Sequence, residues 1–275
     1  MKDVGIALPD YGKPPIVEVV FAVALRPMSL SLVDLARFGW ERLGDSYPAR
    51  QEQSPQPVAT ESFDAGSQNL VPTLSLLTGA PPVRLWFGSE DKTRLVQLQR
   101  DWMAYNWQGT STEGPYPKYE TIERSFLSIF DSFADYVAQL RPAAPDVAPH
   151  QCELSYINHV FPGRTWERHG QLNKVIRLAG KAGSFLPEPE DGQLMFRYRI
   201  PHEGKDIGRL YVQVLPGRRD QSQVIQLNIT ARGAPLSPDR EGMVSFFRLA
   251  HEWVVRGFAA VTTDAAQKML WERIR

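Results

Sequence analysis

The sequence predicts an α+β fold of two similar lobes, a tandem duplication in which a strand, a helix, an antiparallel sheet and a long helix occur twice. Two apolar stripes with the 3.6-residue period of a helix lie 121 residues apart. Each stripe follows several strand-like runs, in the same order in both halves. The length of 275 residues is sufficient for two domains of ordinary size.

The first half begins with a β-branched apolar run at residues 16–25, which is typical of a strand. Ser31 is a candidate N-cap for the helix that follows, and Gly44 stands where that helix would end. Residues 49–82 are rich in Pro, Ser, Gln and Thr. This composition predicts an irregular segment with at most one short strand, near residues 58–63.

A hairpin is predicted next, formed by a strand at residues 83–87, a polar turn at 88–92 and one long strand at 94–107. A long amphipathic helix then follows Pro117. Its stripe consists of Ile122, Phe126, Ile129, Phe133, Val137 and Leu140.

The second half repeats this order. Residues 152–161 resemble a strand, residues 172–178 a short helix, and residues 192–232 contain three alternating runs that predict an antiparallel meander. A short helix is expected at residues 264–275. Before it, a second long helix is predicted from Met243, Phe247, Ala250, Val254, Phe258 and Val261.

The two opening strands also share a frame, because Glu18 and Pro27 match Glu153 and Pro162 at a constant offset of 135 residues. We therefore predict three parts along the chain. They are a first α+β lobe at residues 1–141, a Pro/Ala linker at residues 142–150 and a second α+β lobe at residues 151–275. The lobes can join edge to edge or face to face.

The composition excludes several classes of protein. The chain carries 31 basic and 31 acidic residues, so it lacks the overall positive charge of a non-specific nucleic-acid binder. Cys152 is the single cysteine, which excludes an intrachain disulfide and a cysteine-based metal site. No apolar stretch has the length of a membrane span. We expect a cytoplasmic protein without metal, cofactor or membrane partner.

The sequence contains no complete catalytic signature. It has no phosphate-binding loop and no Gly-x-Ser-x-Gly motif. His251 and Glu252 begin a zinc-protease pattern, but Val255 stands where the second histidine would be. The remaining hypothesis for catalysis is that Glu18 and Glu153 form a carboxylate pair. The alternative is that Glu18 and Glu153 are two separate carboxylates, each solvated or paired with an arginine.

The strongest candidate binding residues lie in the predicted strand at residues 94–107 and just after it. Alternation places Arg100 among apolar residues, where a half-buried guanidinium needs an anion. Nearby aromatic side chains form either a surface that stacks a ring or part of the core. The candidate site residues are Arg100, Asp101, Asn106, Trp107 and Tyr116.

Short motifs throughout the chain carry a family resemblance. They are PPIVE at 14–18, QLQRD at 97–101, NW at 106–107, YPKYE at 116–120, ELSYINH at 153–159, HE at 251–252, Phe258 and Trp271. With these motifs the chain resembles a sporadically distributed family of uncharacterised bacterial and archaeal proteins. The family has no assigned function. Its patchy distribution implies mobile genes, such as those of phage defence or toxin–antitoxin systems.

Three functional hypotheses follow. The first is a non-enzymatic binding component that recognises a protein partner or a ligand, with self-association left open. The second is a hydrolase or nucleotide-handling enzyme that uses Glu18, Glu153, Arg100 and Asp101, which requires at least two of these carboxylates to converge. The third is a nucleic-acid-binding protein, which requires one face to hold Arg84, Arg94, Arg197, Arg199, Arg218, Arg219 and Arg232.

Overall fold

The computed structural model describes residues 7–26, 28, 30–58, 60–63, 83–109, 116–142, 147–180 and 183–275. The described strands are β1 (Ile16–Leu25), β2 (Ala49–Gln53), β3 (Arg84–Gly88), β4 (Arg94–Gln99), β5 (Trp102–Gln108), β6 (Pro149–Val160), β7 (Leu194–His202), β8 (Lys205–Arg219) and β9 (Ser222–Gly233). The α-helices are α1 (Leu32–Phe38), α2 (Tyr119–Leu140), α3 (Arg240–Val261) and α4 (Asp264–Met269). The α+β class and its antiparallel strands are confirmed.

All nine strands form one antiparallel sheet in the order β2-β3-β4-β5-β1-β6-β9-β8-β7. The central strands β1 and β6 pair with each other, so the two halves of the chain join edge to edge. In this register Val20 lies opposite Ser155, Glu18 opposite Ile157 and Ala22 opposite Glu153. The duplication itself remains a prediction.

Both long helices cover the same face of the sheet, which we call the helix face. The Phe21 ring of β1 lies 5.3 Å from Phe126 of α2 and 5.0 Å from Phe247 of α3, between ring centroids. Alternation along β1 sends Glu18 and Val20 to the opposite side, which we call the polar face. The main core therefore lies between one side of the sheet and two helices.

Local signals explain where several elements begin and end. Ser31 and Asp34 form a capping box at the start of α1, as Ser31 predicted. A single π-helical turn, Gly39–Leu43, continues α1 and ends at Gly44, whose φ of 51° is accessible to glycine. The stripes predicted for α2 and α3 match two helices of 22 residues each.

Several predicted elements differ from the structure. The long strand at residues 94–107 is wrong, because the chain reverses at Arg100 and Asp101 and forms the hairpin β4–β5. Leu98 therefore pairs with Met103, and Trp102 lies on the polar face instead of continuing the apolar face. Alternation along the chain cannot detect such a reversal, since a two-residue turn leaves two short alternating runs.

Other differences are smaller. The described part of residues 58–63 is not a strand, because its backbone is held by side chains of the sheet instead of a neighbouring strand. Residues 64–82 and 143–146, within the predicted irregular segment and linker, lie outside the described residues. β6 begins at Pro149, inside that linker. The short helix at 172–178 is a 3-10 turn at His169–Lys174, and α4 ends earlier than predicted.

Among the described residues, no helix is both long and apolar enough to cross a bilayer.

Candidate functional site

A pocket of about 340 Å³ opens on the helix face, between the start of α2, the second half of α3 and strands β6 and β9. Its inner wall is aliphatic and aromatic, and residues 8–16 close one side of it. The lining includes Ile16, Tyr116, Tyr119, Tyr156, Asn158, Ile229, His251, Val254, Val255 and Phe258. Its wall thus consists mainly of apolar surface with a few polar atoms.

Two tyrosine hydroxyl groups meet in this wall. The hydroxyls of Tyr116 and Tyr156 hydrogen-bond with each other at 2.9 Å. Burial raises the pKa of both tyrosines well above the usual value, so both hydroxyls stay protonated near neutral pH. Trp107 packs against the Tyr116 ring edge-on, at 5.6 Å between centroids, and fixes its orientation.

A histidine on α3 stacks on a tyrosine of α2. The rings of Tyr119 and His251 are nearly parallel, with centroids 3.9 Å apart. The hydroxyl of Tyr119 donates to Glu123 at 2.7 Å. Burial lowers the pKa of His251 to about 4, although Glu120 and Glu252 act in the opposite direction. The imidazole is therefore neutral at pH 7 and adds a polar but uncharged group to the pocket.

Asn158 provides a third polar group. Its Nδ2 group donates to the backbone oxygens of Tyr156 at 3.3 Å and Leu227 at 3.0 Å. These two bonds use the donor side of the amide. The carbonyl oxygen Oδ1 is therefore the atom of Asn158 suited to accept a bond from a ligand.

The mouth of the pocket is formed by segments from both ends of the sequence. The backbone N–H of Gly12 donates to the backbone oxygen of Glu272 at 3.1 Å. This bond joins the N-terminal segment that lines the pocket to the C-terminal segment of the chain. Asp10 pairs with Lys118 at 3.2 Å and with Arg275 at 3.9 Å. These ion pairs are partly exposed, so each contributes little energy.

The structure separates the predicted site residues into three places. Arg100 is exposed at the β4–β5 turn, so the prediction of a half-buried guanidinium that needs an anion is wrong. Asp101 accepts from Gln99 Nε2 at 2.9 Å in the same turn. Trp107 and Tyr116 pack together at the pocket.

Asn106 lies on the polar face. It accepts from Gln97 at 2.7 Å and donates to Glu18 at 2.6 Å. Gln108 donates to the same carboxylate at 3.1 Å. Asn106 therefore links strands of the sheet and does not belong to the pocket. Residues 110–115, which follow β5 in the chain, lie outside the described residues.

Glu18 and Glu153 do not form the predicted carboxylate pair. Glu153 lies opposite Ala22, four residues along β1 from Glu18, or about 13 Å along the strand. Glu153 instead bonds Arg232 at 2.5 Å and accepts from Ser155 at 3.2 Å. Asp101 lies in the β4–β5 turn and is not close to either of these two carboxylates in the sheet. The geometric condition for the enzyme hypothesis is thus not met by these residues.

The condition for the nucleic-acid hypothesis is not met either. Arg84 and Arg232 lie on the polar face, where Arg84 donates to Gln97 and Arg232 pairs with Glu153. Arg94 lies on the helix face, with its guanidinium 5.5 Å from the centre of the buried Tyr47 ring. The seven arginines therefore do not share one face.

Sequence reasoning did not place Tyr156 or Asn158 in a site, and it considered His251 as part of an incomplete zinc-protease pattern. A polar residue beside the apolar stripe of α3 was the available signal for His251. Among the described residues, no group of three or more His, Cys, Asp or Glu side chains is arranged to hold a metal ion.

Comparison with known proteins gives little further information. No family model and no curated protein matches the chain. A solved structure, that of DynU16 from the dynemicin biosynthetic locus, is similar over 89% of this chain and 97% of its own, with 14% identity and a TM-score of 0.25. A likeness with so low a TM-score carries no argument about fold or function.

Proposed function

We propose that the protein is a non-enzymatic binding component that holds a small, largely apolar ligand in the pocket between α2 and α3. The observation that supports this most is the pocket itself, whose volume of about 340 Å³ falls within the range of about 300–1,000 Å³ typical of ligand sites. Aromatic and aliphatic side chains form most of its wall, with a few polar groups between them.

The chemistry of the wall favours a ligand whose buried part is uncharged. His251 is neutral, and the hydroxyls of Tyr116 and Tyr156 are protonated. The charged lining residues Asp10, Lys118, Glu120 and Arg275 are all at least partly exposed. A ligand charge buried deeper, among the aromatic side chains, would be costly. A planar ring with one donor group suits both the flat Tyr119–His251 stack and the Oδ1 oxygen of Asn158.

A binding role is further supported by the surroundings of the acidic side chains and of the cysteine, which are the groups that could act in catalysis. The carboxylates of Glu18 and Glu153 are separated and hydrogen-bonded to neighbours. Cys152 is buried and burial raises the pKa of its thiol, so the reactive thiolate is disfavoured. Recognition of a protein partner and a place in a mobile defence or toxin–antitoxin system are further hypotheses, the second resting on the family resemblance.

We also infer that the chain arose by tandem duplication. Pairing outward from β1 and β6, each half adds its strands in the same order, β5-β4-β3 on one side and β9-β8-β7 on the other. The equal lengths of α2 and α3 are a further support.

The ligand proposal is tested with the uncharged dye phenylnaphthylamine, whose fluorescence rises in apolar surroundings. Val255→Trp adds bulk at the partly exposed pocket wall, and Ala260→Trp adds the same bulk on the exposed side of α3. We expect the Val255 variant to bind the dye at least about tenfold more weakly than the wild type, and the Ala260 variant to bind like the wild type. Equal binding by both variants would reject the proposal.

A further inference from the structure

A second region binds a piece of the chain as if it were a ligand. Residues 56–58 and 60–63, here called the strap, cross the polar face without helix or strand structure. Backbone N–H groups of Gln56 and Glu61 donate to the side-chain oxygens of Gln99 at 2.9 Å and Gln151 at 3.0 Å. The sheet thus holds the strap through side chains, as a groove holds a bound peptide.

The strap is fixed by one carboxylate. Arg209, Tyr211 and Arg232, here called the clamp, converge on Glu61, whose side chain is only 6% exposed. The Tyr211 hydroxyl donates to Glu61 Oε1 at 2.5 Å, and Arg209 donates to Oε2. Arg232 lies 3.7 Å from Oε1. Two arginines and a hydroxyl around one acid form a strong carboxylate site.

The two arginines of the clamp differ in their other partners. Arg232 also pairs with Glu153 at 2.5 Å, an acid of the sheet itself. Arg209 instead bonds Glu61 and the backbone oxygen of Ser62 at 2.8 Å, and the Phe63 ring lies 4.3 Å from its guanidinium carbon. Among the described residues, the acid paired with Arg209 comes from the strap. When the strap leaves, a half-buried guanidinium therefore lacks its anion.

We propose that the clamp is a docking site for an acidic segment of a protein partner, which displaces the strap and places its own carboxylate where Glu61 lies. The segment would carry an aromatic residue two positions after the acid, since Phe63 stacks on Arg209. A peptide fits better than a small free acid, because Gln99 and Gln151 bond the backbone of the bound segment. This inference does not depend on the pocket ligand.

The test uses the full chain and a fluorescent peptide with the sequence of residues 56–63. In the wild type the tethered strap competes at high effective concentration. We expect Glu61→Ala to weaken the strap, so that this variant binds the peptide at least about tenfold more tightly than the wild type. A control peptide with Gln in place of the acid should bind Glu61→Ala at least about tenfold more weakly than the acidic peptide.

Two further variants connect the binding to the clamp. Adding Arg209→Ala to Glu61→Ala should abolish peptide binding, and adding Tyr211→Phe, which removes one hydroxyl, should weaken it about tenfold. If Glu61→Ala does not fold, Phe63→Ala serves as the opened form, because losing the ring contact with Arg209 weakens the strap, while Glu61 remains available to pair with the clamp during folding. The proposal is overturned if a folded, opened form does not bind the acidic peptide, or binds both peptides equally.

Discussion

On the helix face, Phe21 of β1 packs against two long helices, whereas on the polar face Glu18 of the same strand is hydrogen-bonded to two side-chain amides. Phe21 is fully buried among aromatic rings. Glu18 accepts hydrogen bonds from Asn106 and Gln108. One strand thus faces an apolar core on one side and a hydrogen-bonded layer on the other.

The difference shows that the two faces hold what lies against them by different kinds of interaction. Apolar burial is non-directional and stabilises the helix face, where the pocket is a local gap in the packing. Polar groups need partners of defined geometry, so the polar face selects what lies on it, including the strap. Substitutions on the two faces should therefore differ in size and kind.

The largest effect is expected for Phe21→Ala. Removing this ring from between α2 and α3 should lower the free energy of unfolding by about 3–5 kcal/mol. Val20→Ala, one residue away on the polar face, should cost about 1 kcal/mol because it removes less buried surface. Chemical denaturation of both variants measures this, and equal losses would show that the two faces do not differ as described.

The second effect concerns acid stability at the pocket. Burial lowers the pKa of His251 to about 4, while an unfolded chain has an imidazole pKa of about 6.5. Between these values the unfolded state binds the proton and the folded state does not. The free energy of unfolding therefore falls by up to about 3 kcal/mol as the pH drops from 6.5 to 4, and the loss then levels off.

His251→Phe should remove this part of the acid loss. Phenylalanine is tolerated at the matching position of the other long helix, since Phe130 is the twelfth residue of α2 as His251 is of α3. Phe130 is 2% exposed in the core. Urea unfolding at several pH values compares the two proteins, and parallel curves below pH 6.5 would contradict the assignment.

A smaller effect is expected for Asn106→Ala. The buried amide lies between Gln97 and Glu18, and its loss leaves both without this partner. We expect a cost of about 1–3 kcal/mol in the free energy of unfolding. Gln108→Ala, which removes a partly exposed donor to the same carboxylate, should cost less. A larger loss for the Gln108 variant would show that burial does not set the strength of this network.

The smallest effect is expected for Arg100→Ala. Its side chain is exposed at the β4–β5 turn, so the change should stay within about 0.5 kcal/mol. Thermal melting of the variant checks this. Clear unfolding would mean that Arg100 has a buried partner after all, as the sequence pattern alone suggested.

The differences between the sequence predictions and the structure show which features can be read from the sequence. Ser31 and Asp34 are three residues apart, and the stripes of α2 and α3 are local, so capping and helices were predictable. The Arg100–Asp101 turn was missed because alternation does not reveal a tight reversal.

The candidate site was less predictable, since the fold assembles it from distant residues. Tyr116 and Trp107 were identified as part of an aromatic cluster, but Tyr156 and His251 join them only through sheet pairing and helix packing. The clamp around Glu61 likewise joins residues about 150 positions apart. Residue spacing and periodicity in the sequence cannot predict contacts between residues so far apart in the chain.

The central claim is that the pocket between α2 and α3 takes a small apolar ligand. A crystal structure of the protein soaked with phenylnaphthylamine tests it most directly. We predict that the dye lies in the pocket, against the Tyr119–His251 stack and within contact distance of Tyr156 and Val255. A dye molecule bound elsewhere, with the pocket empty, would contradict the account.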